Sequence, residues 1–262
     1  VRDPSGPALT AWLDRLRRRH EHRGGPRPTT VAYGHHPDQV ADLWSPDGVA
    51  DPPVVVSLHG GYFRSAFGRD LHDPVCRELA RRGFAVWNVE YRRTGTGGGL
   101  EETTSDVLAA VDALPGTGPV AAFGHSAGGF LAEWLAAHPR VELVVPLAGV
   151  LDPAGVVRAG WDRGGVSDWL GTTPDEDPER YAAADPRHRL PAGAAHVLVH
   201  GTADGVVGVA QSRAFAAAVR AAGDPVELVE LDGEGHFAFL DPREPAFAVL
   251  ADVLDRWRGP RD

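Results

Sequence analysis

From residue 53 onward the chain alternates short β-branched runs with longer stretches in which apolar residues recur every three or four positions. PVVVSLHG and FAVWNVEY read as strands separated by a helix around residues 70–82, and EETTSDVLAAVDAL reads as the next helix. PVAAFGHS, VELVVPLAGV, AHVLVHGTAD and VELVELDG continue the strands, while AGGFLAEWLAAH, AQSRAFAAAVRAAG and a stretch within residues 243–258 continue the helices. Strands that are apolar almost throughout have no face to offer water, so the sheet they form is parallel and covered on both sides. The pattern predicts an α/β chain with a mostly parallel central sheet of about eight strands and helices on both faces. TTVAYG and VADLWSP, within residues 29–46, add an antiparallel pair at one edge.

Two segments break this rhythm. Residues 8–23, ALTAWLDRLRRRHEHR, predict an amphipathic helix with Trp12, Leu13 and Leu16 on one face. That face is too short for a strong membrane anchor, so it packs on the body or against a second subunit of a homodimer. Residues 151–195, rich in Gly, Pro, Asp and Trp, lie between two predicted strands. A connection of this length inside a compact domain usually carries function, and a small lid insertion is expected. Its Trp161, Trp169 and Tyr181 line a substrate pocket or pin the insertion to the body. The expectation is one domain over residues 1–262.

Charge and composition narrow the partners. Acidic residues outnumber basic ones 36 to 26, for a formal net charge of -10, which disfavours a phosphate-tracking surface and so a nucleic-acid partner. No apolar stretch approaches the ~20 residues needed to span a bilayer, so no membrane partner is expected. Cys76 has no second cysteine to pair with, and its place in DPVCRELARRG suits a small buried side chain. These features favour the cytoplasm, although a leader removed ahead of Val1 is compatible with a chain that starts without methionine. CxxC and HExxH spacings are absent, so no metal is expected, and nothing in the chain calls for a cofactor. His35 and His36, adjacent and not helically spaced, belong on a solvated turn.

The chemistry gathers at strand ends. Gly124-His125-Ser126-Ala127-Gly128 fits G-x-S-x-G between a predicted strand and a predicted helix, the context that motif requires. Glycines at 124 and 128 remove side chains that would collide in a sharp strand-to-helix turn, and the turn holds the Ser126 hydroxyl out at the carboxyl edge of the sheet. The helix that opens at Ala127 directs N–H groups to the same place. A serine hydroxyl needs a base oriented by a third group. Asp204 in HGTADG and His236 in GEGHF each follow a strand, and the order Ser126, Asp204, His236 is the nucleophile, acid, base order of the α/β-hydrolases. Asp232 and Asp241 compete as acids but suit a turn and a helix start; His59, His125 and His200 suit structural roles beside backbone. After the strand VVVSL, His59-Gly60-Gly61-Tyr62-Phe63 supplies N–H groups, and those of Ala127 and of Gly61 or Tyr62 are assigned to an oxyanion hole. TGTGGG at residues 94–99 misses G-x-G-x-x-G because Leu100 takes the last glycine position; a mobile loop beside the site is expected. Arg92 or Arg93 ahead of it holds a substrate carboxylate or a surface ion pair.

From about residue 29 the chain resembles α/β-hydrolases of the HGG-containing esterase, arylformamidase and prolyl-oligopeptidase-like group. HGGYF is similar to the HGGxW of arylformamidases, GHSAGG to their nucleophile segment, and HGTADGVV and GEGHF to their acid and base segments. The segment YAAADPRHRLP is similar to the lid-to-strand return of bacterial hydrolases. The resemblance implies the α/β-hydrolase fold, triad roles for Ser126, Asp204 and His236, and an oxyanion role for the HGG loop. Phe63 departs from the family's tryptophan and puts an arylformamidase substrate in doubt. The candidate substrate-binding residues are Phe63, Trp161, Trp169 and Phe237. The expected activity is hydrolysis of a small-molecule carboxylic ester through an acyl-enzyme. Amide hydrolysis, as in an arylformamidase or small peptidase, is the first alternative, and acyl transfer or cyclisation the second. A catalytically silent receptor on the same fold is the contrasting class.

Overall fold

A computed structural model describes residues 7–21 and 25–259. Eight strands form one sheet: β1 (Thr29–Ala32), β2 (Val40–Trp44), β3 (Val54–Leu58), β4 (Ala85–Val89), β5 (Val120–His125), β6 (Val141–Leu147), β7 (Ala195–Gly201) and β8 (Val226–Leu231). Their spatial order is β1-β2-β4-β3-β5-β6-β7-β8. The pairs from β4 to β8 are all parallel, while β2 runs antiparallel to β4 and β1 to β2. The two edge strands predicted from residues 29–46 therefore pair as expected, with β1 exposed along its length.

Alternation along the central strands sorts side chains to the two faces. Val56 and Leu58 of β3 and Ala122 of β5 meet Val107 of α3 (Leu100–Asp112) and Phe130 and Leu131 of α4 (Ala127–Leu135). Val55 of β3 and Ala121 and Phe123 of β5 turn the other way, toward Leu79 of α2 (Asp73–Arg81) and Leu250 and Leu254 of α9 (Pro245–Arg258). On β7, Val197 and Val199 join that second core, while Leu198 meets Phe215 and Val219 of α8 (Ala210–Ala222). Cys76 is buried in α2, with its Sγ directed at Ser57 Oγ.

Between β6 and β7 the chain makes three short helices, α5 (Pro153–Arg158), α6 (Gly165–Leu170) and α7 (Pro178–Ala183), before a cis Leu190-Pro191 bond and β7. Local chemistry starts two of them. Asp152 accepts from the Gly155 N–H and Asp177 from the Arg180 N–H, each ahead of a proline at the first helical position. Trp169 ties this segment down: its ring lies parallel to Phe63 at 4.0 Å between centroids, and its Nε1–H donates to Thr103 Oγ1 at 2.9 Å. Arg64 donates to the Arg163 carbonyl and to Asp168 at the other end.

The amphipathic helix near the start is α1 (Pro7–Glu21). Residues 22 and 23 of the expected span lie outside the described residues. Leu9, Leu13 and Leu16 are buried against Leu71 and Leu240, and Trp12 meets Phe237 at 5.9 Å. Each leucine so covered contributes about 1.5–3 kcal/mol of burial free energy before ordering costs. No helix among the described residues is long and apolar enough to cross a membrane.

Candidate active site

Parallel strands deliver their carboxyl ends to one edge, and in an open α/β sheet that edge is where sites assemble. β3 delivers His59 to Phe63, β5 delivers Ser126, β7 leads to Asp204 and β8 to His236. The two outer contributions are six residues or fewer past their strands, so the sheet itself sets their spacing.

Ser126 sits at φ 57° and ψ -117°, a strained conformation for a residue with a Cβ. Its surroundings over-determine it. The Ser126 N–H donates to Leu147 O at 2.9 Å, and its carbonyl accepts from Gly129 at 2.9 Å and Val150 at 3.1 Å. The flanking glycines are required by close approach: a Cβ on Gly124 would stand 1.9 Å from the Gly128 carbonyl oxygen, and one on Gly128 would stand 1.9 Å from that of Leu58. No side chain fits either place, so the turn places the hydroxyl at the front of α4, whose first N–H groups have no carbonyl partner within the helix.

Asp204 and His236 are in direct contact, with His236 Nδ1 2.7 Å from Asp204 Oδ2. Because a carboxylate only accepts, Nδ1 carries the proton, which leaves Nε2 of the neutral ring as an acceptor. Asp204 Oδ1 accepts the N–H groups of Val206 and Val207, both at 2.8 Å. Burial works to raise this carboxyl, but the electrostatic pull of the adjoining His236 ring and the hydrogen bonds from His200, His236 and Val207 hold it well below the usual carboxylate range. Ser126 and His236 line one cavity; a Ser126–His236 hydrogen bond is not among those formed by the described residues. Such contacts often tighten only when substrate is bound.

The rival groups are placed elsewhere. Asp232 accepts from Thr202 Oγ1, and Asp241 is bidentate with Arg243. His200 is buried, its Nε2–H directed at Val207 O at 2.8 Å and Asp204 Oδ2 at 3.2 Å while Nδ1 meets Ser212 Oγ. It therefore buttresses the Asp204 loop from behind, a part that sequence reading had reduced to a backbone contact. His59 lies under the HGG loop, stacked on Tyr91 at 4.5 Å, with Nε2 2.7 Å from Glu90 Oε1, and Tyr91 Oη donates to the His59 carbonyl. Glu90 also accepts the Arg69 N–H and pairs with Arg93. Arg92 is bidentate with Asp106. Both arginines are thus committed to internal ion pairs, and neither lines a cavity beside Ser126. The TGTGGG stretch is turn-bound, with Gly98 N–H on Arg93 O and Gly99 N–H on Glu102, and it leads into α3.

Two small cavities adjoin Ser126. One, of about 30 Å³, is lined by Leu9, Leu13, Gly60, Gly61, His236 and Phe237 among others. The second, of about 20 Å³, is lined by Phe63, Ala127, Val156, Trp161 and Asp162 among others. Tyr62 borders both. Gly61, Tyr62 and Ala127, the residues assigned to an oxyanion hole, thus all border space next to the serine. Of the candidate substrate-binding residues, Phe63, Trp161 and Phe237 line these cavities. Trp169 does not: it is buried one layer back against Phe63 and Phe130. Sequence reading missed Leu9 and Leu13, because nothing in an amphipathic pattern says what its apolar face covers. No group of three or more His, Cys, Asp or Glu among the described residues could hold a metal ion.

Sheet order, the strained serine at the strand-to-helix turn and the strand-end Asp–His pair define an α/β-hydrolase. A model of the prolyl oligopeptidase family matches residues 79–256, more than half of the chain, and the chain belongs to that family. Esterase LipC of Mycobacterium tuberculosis is 29% identical over 276 residues, covering 92% of this chain and 67% of that protein. Among solved structures, an inhibited esterase B from Lactobacillus rhamnosis shares 21% identity at a TM-score of 0.79, over 95% of this chain and 92% of that one. A bifunctional GH43-CE protein of Bacteroides eggerthii shares 22% identity at a TM-score of 0.76; the match covers 87% of this chain but only 38% of that longer one. At these identities the structural likenesses establish the fold.

Proposed function

We propose that this protein is a serine hydrolase that cleaves small carboxylic esters through an acyl-enzyme on Ser126. The observation that carries the reading is the strained serine, opening into a cavity it shares with an imidazole whose Nδ1–H is held by Asp204. In this mechanism His236 Nε2 takes the serine proton as Oγ attacks the ester carbonyl, and Asp204 stabilises the imidazolium that results. The developing oxyanion is met by the N–H groups of Ala127 and of Gly61 or Tyr62. His236 then hands its proton to the departing alcohol, and water repeats the sequence to release the acid.

The name of the relative LipC supports an ester substrate. So does the space beside the serine: cavities of about 30 and 20 Å³ suit short groups and offer no groove for a polypeptide. Ser126→Ala tests the reading. It is expected to abolish both labelling by a fluorophosphonate and hydrolysis of p-nitrophenyl acetate; persistence of either in the pure variant refutes it. Parallel turnover of N-formylkynurenine and aminoacyl anilides measures how far the same machinery reaches amides.

A further inference from the structure

A carboxylate with no part in the mechanism above is buried beside the serine. Asp162, 7% exposed, lines the smaller cavity together with Ser126, Tyr62, Phe63, Ala127 and Trp161. Its hydrogen bonds are confined to one oxygen: Oδ2 accepts from the Ser167 N–H at 3.3 Å and from Ser167 Oγ at 3.0 Å. Among the described residues nothing donates to Oδ1, and no arginine or histidine pairs with this carboxylate. The nearby Arg64 is engaged by Asp168 and by the Arg163 carbonyl. An ionised carboxylate buried without a cation is costly, and a ligand that brings the cation offsets that cost.

The space sets the size of that cation. A cavity of about 20 Å³ has room for one water-sized group and none for a chain. A primary ammonium is that size, and the aromatic residues Tyr62, Phe63 and Trp161 on the same wall are better neighbours for a cation than aliphatic ones. Ser126 and Ala127 also line the cavity, so a carbonyl carbon bonded to the serine leaves it only one further carbon away from the ammonium. Resting on the esterase reading above, we infer that Asp162 is a specificity-determining residue that receives a primary ammonium carried on the carbon next to the ester carbonyl. The favoured substrates are then esters of the smallest α-amino acids, glycine and alanine.

The test uses an isosteric pair, ethyl glycinate and ethyl propionate, which differ by an ammonium in place of a methyl group. Each kcat/KM is divided by the ester's own rate of hydrolysis by hydroxide at the same pH, so that the activating effect of the ammonium cancels. At pH 7 the parent is expected to favour glycinate by about tenfold or more on this scale. In Asp162→Asn the ratio is expected to fall about 10–100-fold, the range for a hydrogen bond to a charged group. Asparagine matches the size of aspartate and keeps an acceptor for Ser167, so a carboxylate with a purely structural role would give equal losses on the two esters. Equal losses, or an unchanged ratio, overturn the proposal. A second readout needs no variant. An α-amino group gives up its proton at about pH 7.7–8.0, so the parent's preference should shrink between pH 7 and 9. A parent ratio at or below one, or one that does not change with pH, overturns the proposal even where Asp162→Asn fails to fold. Failure of the parent to turn over either ester or p-nitrophenyl acetate would instead sink the esterase reading, and the inference with it.

Discussion

His125 Nε2 donates to the main-chain carbonyl of His236 at 2.8 Å, joining the residue before the serine to the candidate base across 111 positions of sequence. One hydrogen bond thus registers the end of β5 against the loop that follows β8. His125 is buried, and burial, followed by the nearby His236 and His72, pushes it well below its ordinary range, so the ring is a neutral donor. His125→Phe keeps the ring volume and removes the donor. Stranding a buried carbonyl costs about 1–3 kcal/mol. The expected result is a kcat about tenfold lower for p-nitrophenyl acetate with KM little changed, because the loop that aims the imidazole is loosened.

Asp204→Asn should leave the fold intact and lower kcat by about 10³–10⁴, the effect of presenting the wrong imidazole tautomer. The amide donates where the carboxylate accepted, so His236 Nδ1 loses its acceptor. Steady-state kinetics check this outcome, with circular dichroism to confirm the fold of a variant whose Tm falls through loss of the buried carboxylate, and a kcat within tenfold of the parent would move the acid role elsewhere.

Gly128→Ala is expected to fail for a geometric reason. Its methyl carbon would overlap the Leu58 carbonyl oxygen, which belongs to a central strand and has nowhere to go. The cost is about 3 kcal/mol or more, or a fall of about 6–12 °C in Tm for a domain of this size. Differential scanning calorimetry measures it directly. Gly233→Ala, whose Cβ would meet nothing within 4 Å, should cost much less even though its φ is 72°.

Acid should weaken the fold from about pH 6.5 downward. His59 and His72 are pushed down to about 3, by burial first and then by Arg93 and His59 respectively, and His125 lies well below its ordinary value. A depressed histidine stays neutral in the fold while the unfolded chain takes up a proton below about pH 6.5, so each loses stability as pH falls. Two carboxyls oppose this. Burial raises Asp73 to about 7, with Asp42 and Asp70 adding to it, and burial also raises Glu133; their contributions grow as pH falls. The three histidines outnumber the two carboxyls, so the unfolded chain binds more protons than the fold and stability falls as pH falls. Tm should therefore fall as pH is lowered from about 6.5 to 4.5, which scanning calorimetry across that range measures. Below about pH 4 the depressed Asp204 adds to the loss. A Tm that is flat or rising on acidification would show that the carboxyls dominate.

Much of the architecture is written in local pattern. The buried central strands are near-continuous apolar runs, and β1 and β2 could be placed at an edge because their runs are short and mixed. The nucleophile turn was legible because Gly124 and Gly128 have a steric cause that survives in sequence. The Asp204–His236 contact was legible only as order and strand-end position; its 2.7 Å geometry depends on β7 and β8 pairing in register. What stayed hidden depended on distant partners. Trp169 and Trp161 look alike in sequence, yet one is stacked beneath Phe63 and the other is 41% exposed beside a cavity. The apolar face of α1 announces burial without naming the surface it covers, so its approach to Ser126 had no local signal.

The chain's single thiol, Cys76, is enclosed in α2, and burial raises its pKa well above the ordinary value for a cysteine. It is therefore a poor target for maleimides and similar reagents under native conditions. A cysteine introduced on the outer surface of α1 would then be the one position to accept a fluorophore, and the native sequence already serves as the unlabelled background for watching that helix during turnover.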